Sequence, residues 1–319
     1  MNIDEVYMRR CLQLAANGIQ GARPNPMVGA VIVAGGRIIG EGYHVRYGEG
    51  HAEVNAFASV KTEDECLLGA STIYVSLEPC AHYGKTPPCA ELIIRKGVRR
   101  VVVGCIDPFA KVQGRGIGML RDAGIEVTVG VLEQECQWLN RRFFTYHSKQ
   151  RPYIILKWAQ TANGFIDDNG HALLISNEQT LMRSHQLRAE EDAILVGHTT
   201  YHREHPKLNV RHWHGPDPMR IVLTHDRPLQ QRMDDLYQHG VQSLIVEGGR
   251  QTLEAFIGGG LWDEIRVETN HRLTVTDGTR APQLPAEVQL YNMMGYGDNT
   301  LATYVRSRQA PRPTSASPT

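Results

Sequence analysis

The chain has 319 residues, 41% hydrophobic and 21% charged, with Lys plus Arg equal to Asp plus Glu at 34 each. That length suggests about two domains, and the neutral balance gives no electrostatic footing for a nucleic-acid partner. "MNIDEVYMRR" lacks an apolar signal region and no apolar run approaches the ~18 residues of a membrane span, so a cytoplasmic chain with no membrane partner is expected.

In chain order, "IDEVYMRRCLQLAAN" predicts a helix over 3–17 with Val6, Cys11, Leu14 and Ala15 near one face. "NPMVGAVIVAGGRIIGEGYH" predicts two strands joined at "AGG". "HAEVNAFASV" is a helix, "STIYVSLEP" a strand, and "PPCAELIIRKG" a helix with prolines at its entry and Gly97 at its exit. "RRVVVGCID" is a buried-type strand, "GIGMLRDAG" a helix and "IEVTVGV" a strand. This alternation predicts an α/β sandwich over residues 1–147, ending in a helix that runs into a polar linker near 147–152. "YIILKWAQT", "DAILVG", "RIVLT", "SLIVEGG" and "EIRVETN" then predict a second α/β domain over 152–306, with helices at about 178–189 and 251–258. The Pro-, Ser- and Thr-rich segment 307–319 predicts a disordered tail.

"GHAEVNAF" puts His51 two residues before Glu53 at a helix start. Alone, that is an ordinary surface or capping pair. "SLEPCAHYGKTPPCAEL" changes the reading, because Cys80 ends a strand and Cys89 opens a helix. In a cytoplasmic chain the six cysteines are expected to be thiols or metal ligands rather than a disulfide framework. His51, Cys80 and Cys89 form a catalytic zinc set, three protein ligands with one position left for water, whose pKa falls towards about 7 on zinc. A helix N-terminus favours thiolate, which suits Cys89. Glu53 is then the expected proton shuttle, not a ligand. His82 is a rival ligand, but His51 already completes the set. "GRGIG" at 114–118 follows no strand and is expected to be a turn before a helix, not a dinucleotide fingerprint.

Eight residues separate the two cysteines, wider than the P-C-x-x-C of common nucleobase deaminases. With "ARPNPMVGAVIV", "GEGYH" and "GCIDPFAKVQGRGIGMLRDAGI", this segment closely resembles the RibD family of bifunctional riboflavin-biosynthesis deaminase–reductases. The resemblance implies a cytidine-deaminase-like three-layer α/β/α domain carrying one Zn²⁺, followed by a dihydrofolate-reductase-like α/β domain using NADPH. It implies a small-molecule substrate, 2,5-diamino-6-(5-phosphoribosylamino)pyrimidin-4(3H)-one, which loses its 2-amino group before the ribosyl group is reduced to ribityl. It implies that Asn25, His44, Lys85 and Asp107 hold that substrate in the first domain. The residues alone would make Asn25 and Asp107 plain turn residues. It also implies a homo-oligomer, dimer or tetramer.

In the second half, "PYIILKWAQTANGFID", "HQLRAEEDAILVGHTTYHREHPKLNVR" and "QSLIVEGGRQTLEAFIGGGLWDEIRV" resemble the reductase. Strand, Gly-Gly and helix entry is independently an anion-site pattern, though it also serves as a plain connector. By resemblance, Arg188, Leu208, Arg211 and Glu247 hold the substrate. Ala159, Thr200, Glu204 and the 249–255 stretch, led by Gly249, Arg250, Gln251 and Thr252, meet NADPH. Departures are clear: Thr161, Ala162, Asn163 and Gly164 stand where the family usually reads S-L-D-G. Leu174 replaces a Trp, Ala172 a Ser, and "EHP" at 204–206 the usual D-D-P or D-N-P. Only about twenty residues separate "RIVLT" from "SLIVEGG", where the family has a further strand and helix. The domain is therefore expected to be shortened, leaving either an exposed sheet edge or a re-paired strand. The surviving Arg188, Arg211 and Glu247 favour a working reductase over a domain kept only for folding and assembly. Five histidines at 198, 202, 205, 212 and 214 are expected to be a solvated loop, not a second metal site. A structural zinc module would want four ligands, and an editing deaminase a basic, aromatic groove.

Overall fold

The computed structural model describes residues 2–83, 87–109, 113–224 and 226–306. Lys85 and the 307–319 tail lie outside the described residues. The chain divides into two compact units that meet between Lys149 and Gln150.

The first unit opens with α1 (Ile3–Ala16), followed by the hairpin β1 (Gly29–Ala34) and β2 (Arg37–Tyr43). Gly35 and Gly36 both have positive φ, as the tight turn between twisted strands requires. Then come α2 (Ala52–Ala58), β3 (Thr72–Leu77), α3 (Cys89–Lys96), β4 (Arg100–Cys105), α4 (Arg115–Asp122) and β5 (Glu126–Val129). The sheet order is β2-β1-β3-β4-β5. Side chains alternate across a strand, and both faces here are buried. Ala30, Ile32, Ile73, Val75, Val101 and Val103 pack with residues of α2, α3 and α4, while Val31, Val33, Tyr74 and Val102 pack with Met8, Cys11 and Leu14 of α1. These are the three layers that the family resemblance implies. The buried face of α1 is set by Met8, Cys11, Leu14 and Ala15; Val6 is exposed and not part of it. The closing helix is two, α5 (Glu133–Leu139) and α6 (Arg141–Lys149), so helix fills the expected linker start. They break at buried Asn140, whose side chain accepts from the Met27 N–H and donates to the Met27 carbonyl, both at 2.8 Å.

The second unit comprises β6 (Tyr153–Gln160), α7 (Glu178–Glu190), β7 (Ala193–Gly197), α8 (His198–Glu204), β8 (Met219–Leu223), α9 (Leu229–Gln238), β9 (Ser243–Val246), α10 (Arg250–Gly258), β10 (Glu264–Asn270), β11 (Val288–Tyr296) and β12 (Asn299–Arg306). Its sheet order is β11-β12-β10-β6-β9-β7-β8. The sequence pattern omits α8, α9 and the β11–β12 hairpin. Leu290, Met293 and Met294 of β11 are all exposed, so this outer strand has no buried alternation to betray it. α9 buries only Met233. Between β8 and β9 there is a helix and no strand among the described residues, and β8 pairs only with β7. Of the two outcomes open to the shortened segment, the chain takes the exposed edge.

Candidate active sites

His51 caps α2 from just outside it, Cys80 follows β3, and Cys89 is the first residue of α3. His51 Nδ1 lies 3.3 Å from Cys89 Sγ and 3.6 Å from Cys80 Sγ. Ligands about 2.0–2.3 Å from a tetrahedral centre lie roughly 3.3–3.8 Å apart, so the donors fit one zinc ion. Among the described residues this is the sole His/Cys/Asp/Glu group with that geometry; His82 is exposed and outside it. The Cys89 N–H at the start of α3 donates to Cys80 Sγ, at 3.3 Å. Hydrogen bonds from Cys89 and His51 pull the Cys80 thiol well below its ordinary value, while the pairing with Cys80 and burial push Cys89 up. The start of α3 thus supports charge on the Cys80 sulfur, while Cys89 opens the helix as expected. The N–H points at the neighbour's sulfur.

Glu53 occupies the first turn of α2 and is buried. Burial, reinforced by the charge on Cys80 and opposed by His51, pushes its carboxyl up to about 7. His44 Nδ1 faces the Gly50 carbonyl at 3.1 Å, so that nitrogen carries the proton and Nε2 accepts from Asn25 Nδ2, also at 3.1 Å. Burial lowers the His44 pKa, and its ring packs edge-on against His51 with centroids 5.3 Å apart. Asn25, His44 and His51 thus form one chain of contacts. Asp107 is buried and accepts from the Phe109 N–H at 2.8 Å. Burial raises its pKa to about 6, reinforced by the charges on Glu78 and Cys80 and opposed by the Phe109 N–H and His82.

Glu78 carries no role in the sequence reading. Its buried carboxylate accepts from the N–H groups of Asp107, Gly114, Gly116 and Ile117 at 2.9–3.4 Å. This explains "GRGIG": Gly114 has φ +76°, and a Cβ at Gly116 would meet the Pro79 carbonyl oxygen at 2.0 Å. The helix start is filled by the chain's own anion. An acid directly before "PC", with a Gly-rich helix entry downstream, is the signal that could have found it. Glu78→Gln replaces an acceptor facing four donors with an amide that repels some of them. It is expected to destabilise the first unit by about 1–3 kcal/mol, the cost of leaving buried N–H donors unpaired. Denaturant unfolding measures this; unchanged stability would refute it.

In the second unit, Glu247 follows β9 and meets Arg188 Nη2 of α7 at 2.7 Å and Lys157 Nζ of β6 at 3.7 Å. Burial opposes its charge, but the two cations hold the carboxyl below the ordinary glutamate value. Lys157, the one charged residue in "YIILKWAQ", escapes the sequence reading although that contrast was its signal. Leu208 is buried with φ +52°, and Arg211 is exposed beside it. Ala159 lies half-buried on β6, two residues past Lys157.

Gly249 caps α10, and its N–H donates to Thr200 Oγ1 at 3.2 Å. A Cβ on Gly248 would meet Thr252 Cβ at 2.8 Å, and one on Gly197 would meet Thr252 Oγ1 at 2.4 Å. The glycines, Thr200 and Thr252 therefore form a close backbone cradle at a helix start without a side-chain cap, which suits a cofactor phosphate. Glu204 ends α8 paired with Arg203, and Arg250 pairs with Glu254 at 2.6 Å. Gln251 is exposed. The geometry thus groups Thr200, Gly249 and Thr252 and leaves Glu204 and Arg250 tied to their own helix neighbours.

The departures close structurally. Thr161 Oγ1 donates to Asn163 Oδ1 at 2.8 Å, and Asn163 Nδ2 donates to the Val275 carbonyl at 2.7 Å, so "TANG" makes a braced turn. Ala172 and Leu174 remain in the gap between β6 and α7, with Leu174 80% exposed. The five histidines are exposed and join no metal group among the described residues; His198 and His202 sit on α8 rather than in a loop.

Residues 1–105 match the cytidine and deoxycytidylate deaminase zinc-binding region, and 152–234 match the RibD C-terminal domain. The riboflavin biosynthesis protein RibD of Aquifex aeolicus is 39% identical over 310 residues, covering 83% of this chain and 86% of that protein. That of Actinobacillus pleuropneumoniae is 44% identical over 68% of this chain, an alignment spanning 57% of its own length. The crystal structure of a diaminohydroxyphosphoribosylaminopyrimidine deaminase/5-amino-6-(5-phosphoribosylamino)uracil reductase from Thermotoga maritima superposes with a TM-score of 0.86 at 31% identity. It covers 95% of this chain and 98% of that one. Both halves match in the same order, over most of the chain, and the chain belongs to the RibD family of riboflavin biosynthesis proteins.

Proposed function

We propose that this chain carries out two consecutive reactions of riboflavin biosynthesis. The first unit hydrolytically deaminates 2,5-diamino-6-(5-phosphoribosylamino)pyrimidin-4(3H)-one, consuming water and releasing ammonia. The second reduces the ribosyl group of the product to ribityl with NADPH. The observation that carries this is the His51, Cys80 and Cys89 donor set beside buried Glu53. The working boundaries are 1–147 for the deaminase and 152–306 for the reductase, in a cytoplasmic dimer or tetramer.

Bound zinc supplies Lewis acidity that makes water a nucleophile at neutral pH. Glu53 would take one proton from the attacking water and pass it to the ring nitrogen, then carry a second, from the newly added hydroxyl, to the amine that leaves as ammonia. His44, held neutral by burial, Asn25, Asp107 and Lys85 orient the pyrimidine and its ribosyl phosphate. NADPH, when bound, would supply a hydride, which with one proton completes the two-electron reduction of the ring-opened ribosyl carbon. Arg188, Leu208, Arg211 and Glu247 hold the substrate, and Ala159, Thr200, Glu204, Gly249, Arg250, Gln251 and Thr252 line the cofactor side. The intact Lys157–Glu247–Arg188 cluster and the glycine cradle favour an active reductase over a silent domain.

The test follows ammonia and NADPH absorbance together after adding the diaminopyrimidine phosphate to zinc-loaded protein. Matched ammonia release and NADPH loss are expected. Ammonia with flat NADPH, repeated on pre-deaminated substrate, would reduce the chain to a deaminase. Neither signal would overturn the whole reading.

A further inference from the structure

α7 carries one completely buried imidazole, His185, on the same face as Arg188 three residues later. Its Nδ1 accepts from the Arg211 backbone N–H at 3.0 Å. Nδ1 therefore holds a lone pair and Nε2 the proton. Nε2 makes no hydrogen bond among the described residues. The exposed ring of His212 packs edge-on against it, with centroids 4.8 Å apart. Burial first, and then the positive charges of Arg188 and Arg211, depress the His185 pKa to about 4, so the acceptor lone pair persists at neutral pH.

The segment it holds is one that would not hold itself. Leu208 sits in the left-handed region at φ +52°, a conformation a branched side chain keeps only when its surroundings impose it. Arg188 Nη1 donates to the Asn209 carbonyl at 3.4 Å, Asp217 accepts from the Val210 N–H at 2.7 Å, and His185 accepts from the next N–H but one after Asn209. Arg211 Nη1 then donates to Asn209 Oδ1 at 3.0 Å. Two side chains of one helix face thus fix the segment's backbone at both ends of a three-residue span.

We propose that His185 is a positioning residue of the reductase site: as a neutral imidazole it fixes the backbone at Arg211, and with it the guanidinium that holds the substrate. This rests on the role given to Arg211 above.

The test uses the full zinc-loaded chain and pre-deaminated substrate. One lost hydrogen bond is worth up to about a factor of ten, so His185→Leu is expected to raise the reductase KM for that substrate about tenfold. The KM for NADPH and the deaminase rate stay level and report intact folding. His185→Asn, whose amide oxygen can accept where Nδ1 did, is expected to return the KM to within about threefold of the parent. In an Arg211→Gln background His185→Leu is expected to add less than about twofold, because the two act through one group. A full tenfold addition there, or a His185→Asn variant as impaired as His185→Leu, would overturn the positioning role and assign function to the Nε2–H edge instead. Arg211→Gln with an unchanged KM would remove the reading on which the inference rests, a result distinct from both.

Discussion

Glu53→Gln is expected to lower deaminase kcat by about 10²–10⁴-fold, the range for loss of a positioned general acid–base. Glutamine keeps the size and the hydrogen-bonding edge but carries no transferable proton. Zinc content is expected to stay at one ion per chain, because the carboxyl is not among the ligand atoms. Reduction of pre-deaminated substrate is expected to continue, since Glu53 belongs to the other unit. Activity assays with metal analysis check all three, and a variant retaining more than a tenth of the parent rate would remove Glu53 from the chemistry. In the zinc-free chain the same substitution acts on stability. Burial raises the folded carboxyl from 4.5 to about 7, so ionising it favours the unfolded chain as pH climbs through that window. The variant, which has nothing to ionise, is expected to gain up to about 3 kcal/mol over the parent above pH 7 and almost nothing near pH 4. Denaturant titrations at the two pH values decide this.

Glu247→Ala is expected to destabilise the second unit by about 3–5 kcal/mol and to abolish reduction, because it leaves Lys157 and Arg188 as unpaired buried cations. Lys157, Arg188 and Glu247 side chains are each only 12–13% exposed, so water cannot screen what remains. Adding Arg188→Met to Glu247→Ala is expected to recover part of the loss by removing one stranded charge, which a strictly additive pair would not do. Because the cations hold the carboxyl below 4.5 against burial, its contribution is complete above that pH and is lost as pH falls through the folded value. Thermal unfolding at pH 7 and at lower pH, read beside the deaminase rate as an internal control, measures the effect.

Much of this was legible in the chain itself. Alternating apolar runs gave the five strands and the first four α-helices of the first unit, because a sheet buried on both faces needs Val and Ile at successive positions. The spacing of His51, Glu53, Cys80 and Cys89 gave the zinc chemistry, because few other uses exist for that donor set beside a helix-borne acid. The β11–β12 hairpin was not legible: its outer strand is exposed, so nothing in its composition distinguishes it from a loop.

The sequence by itself determined the two-domain α/β plan, the metal donors and the glycine helix entry, since these depend on residue type and local spacing. Only the tertiary structure decided which groups share a charge or a proton. The N–H at the start of α3 donates to the sulfur of Cys80, nine residues before it. Glu78 serves α4 from thirty-six and more residues away. His185 reaches Arg211 twenty-six residues on. Hydrogen bonds and ion pairs between distant segments depend on how strands and helices are brought side by side, and a linear spacing carries no record of that.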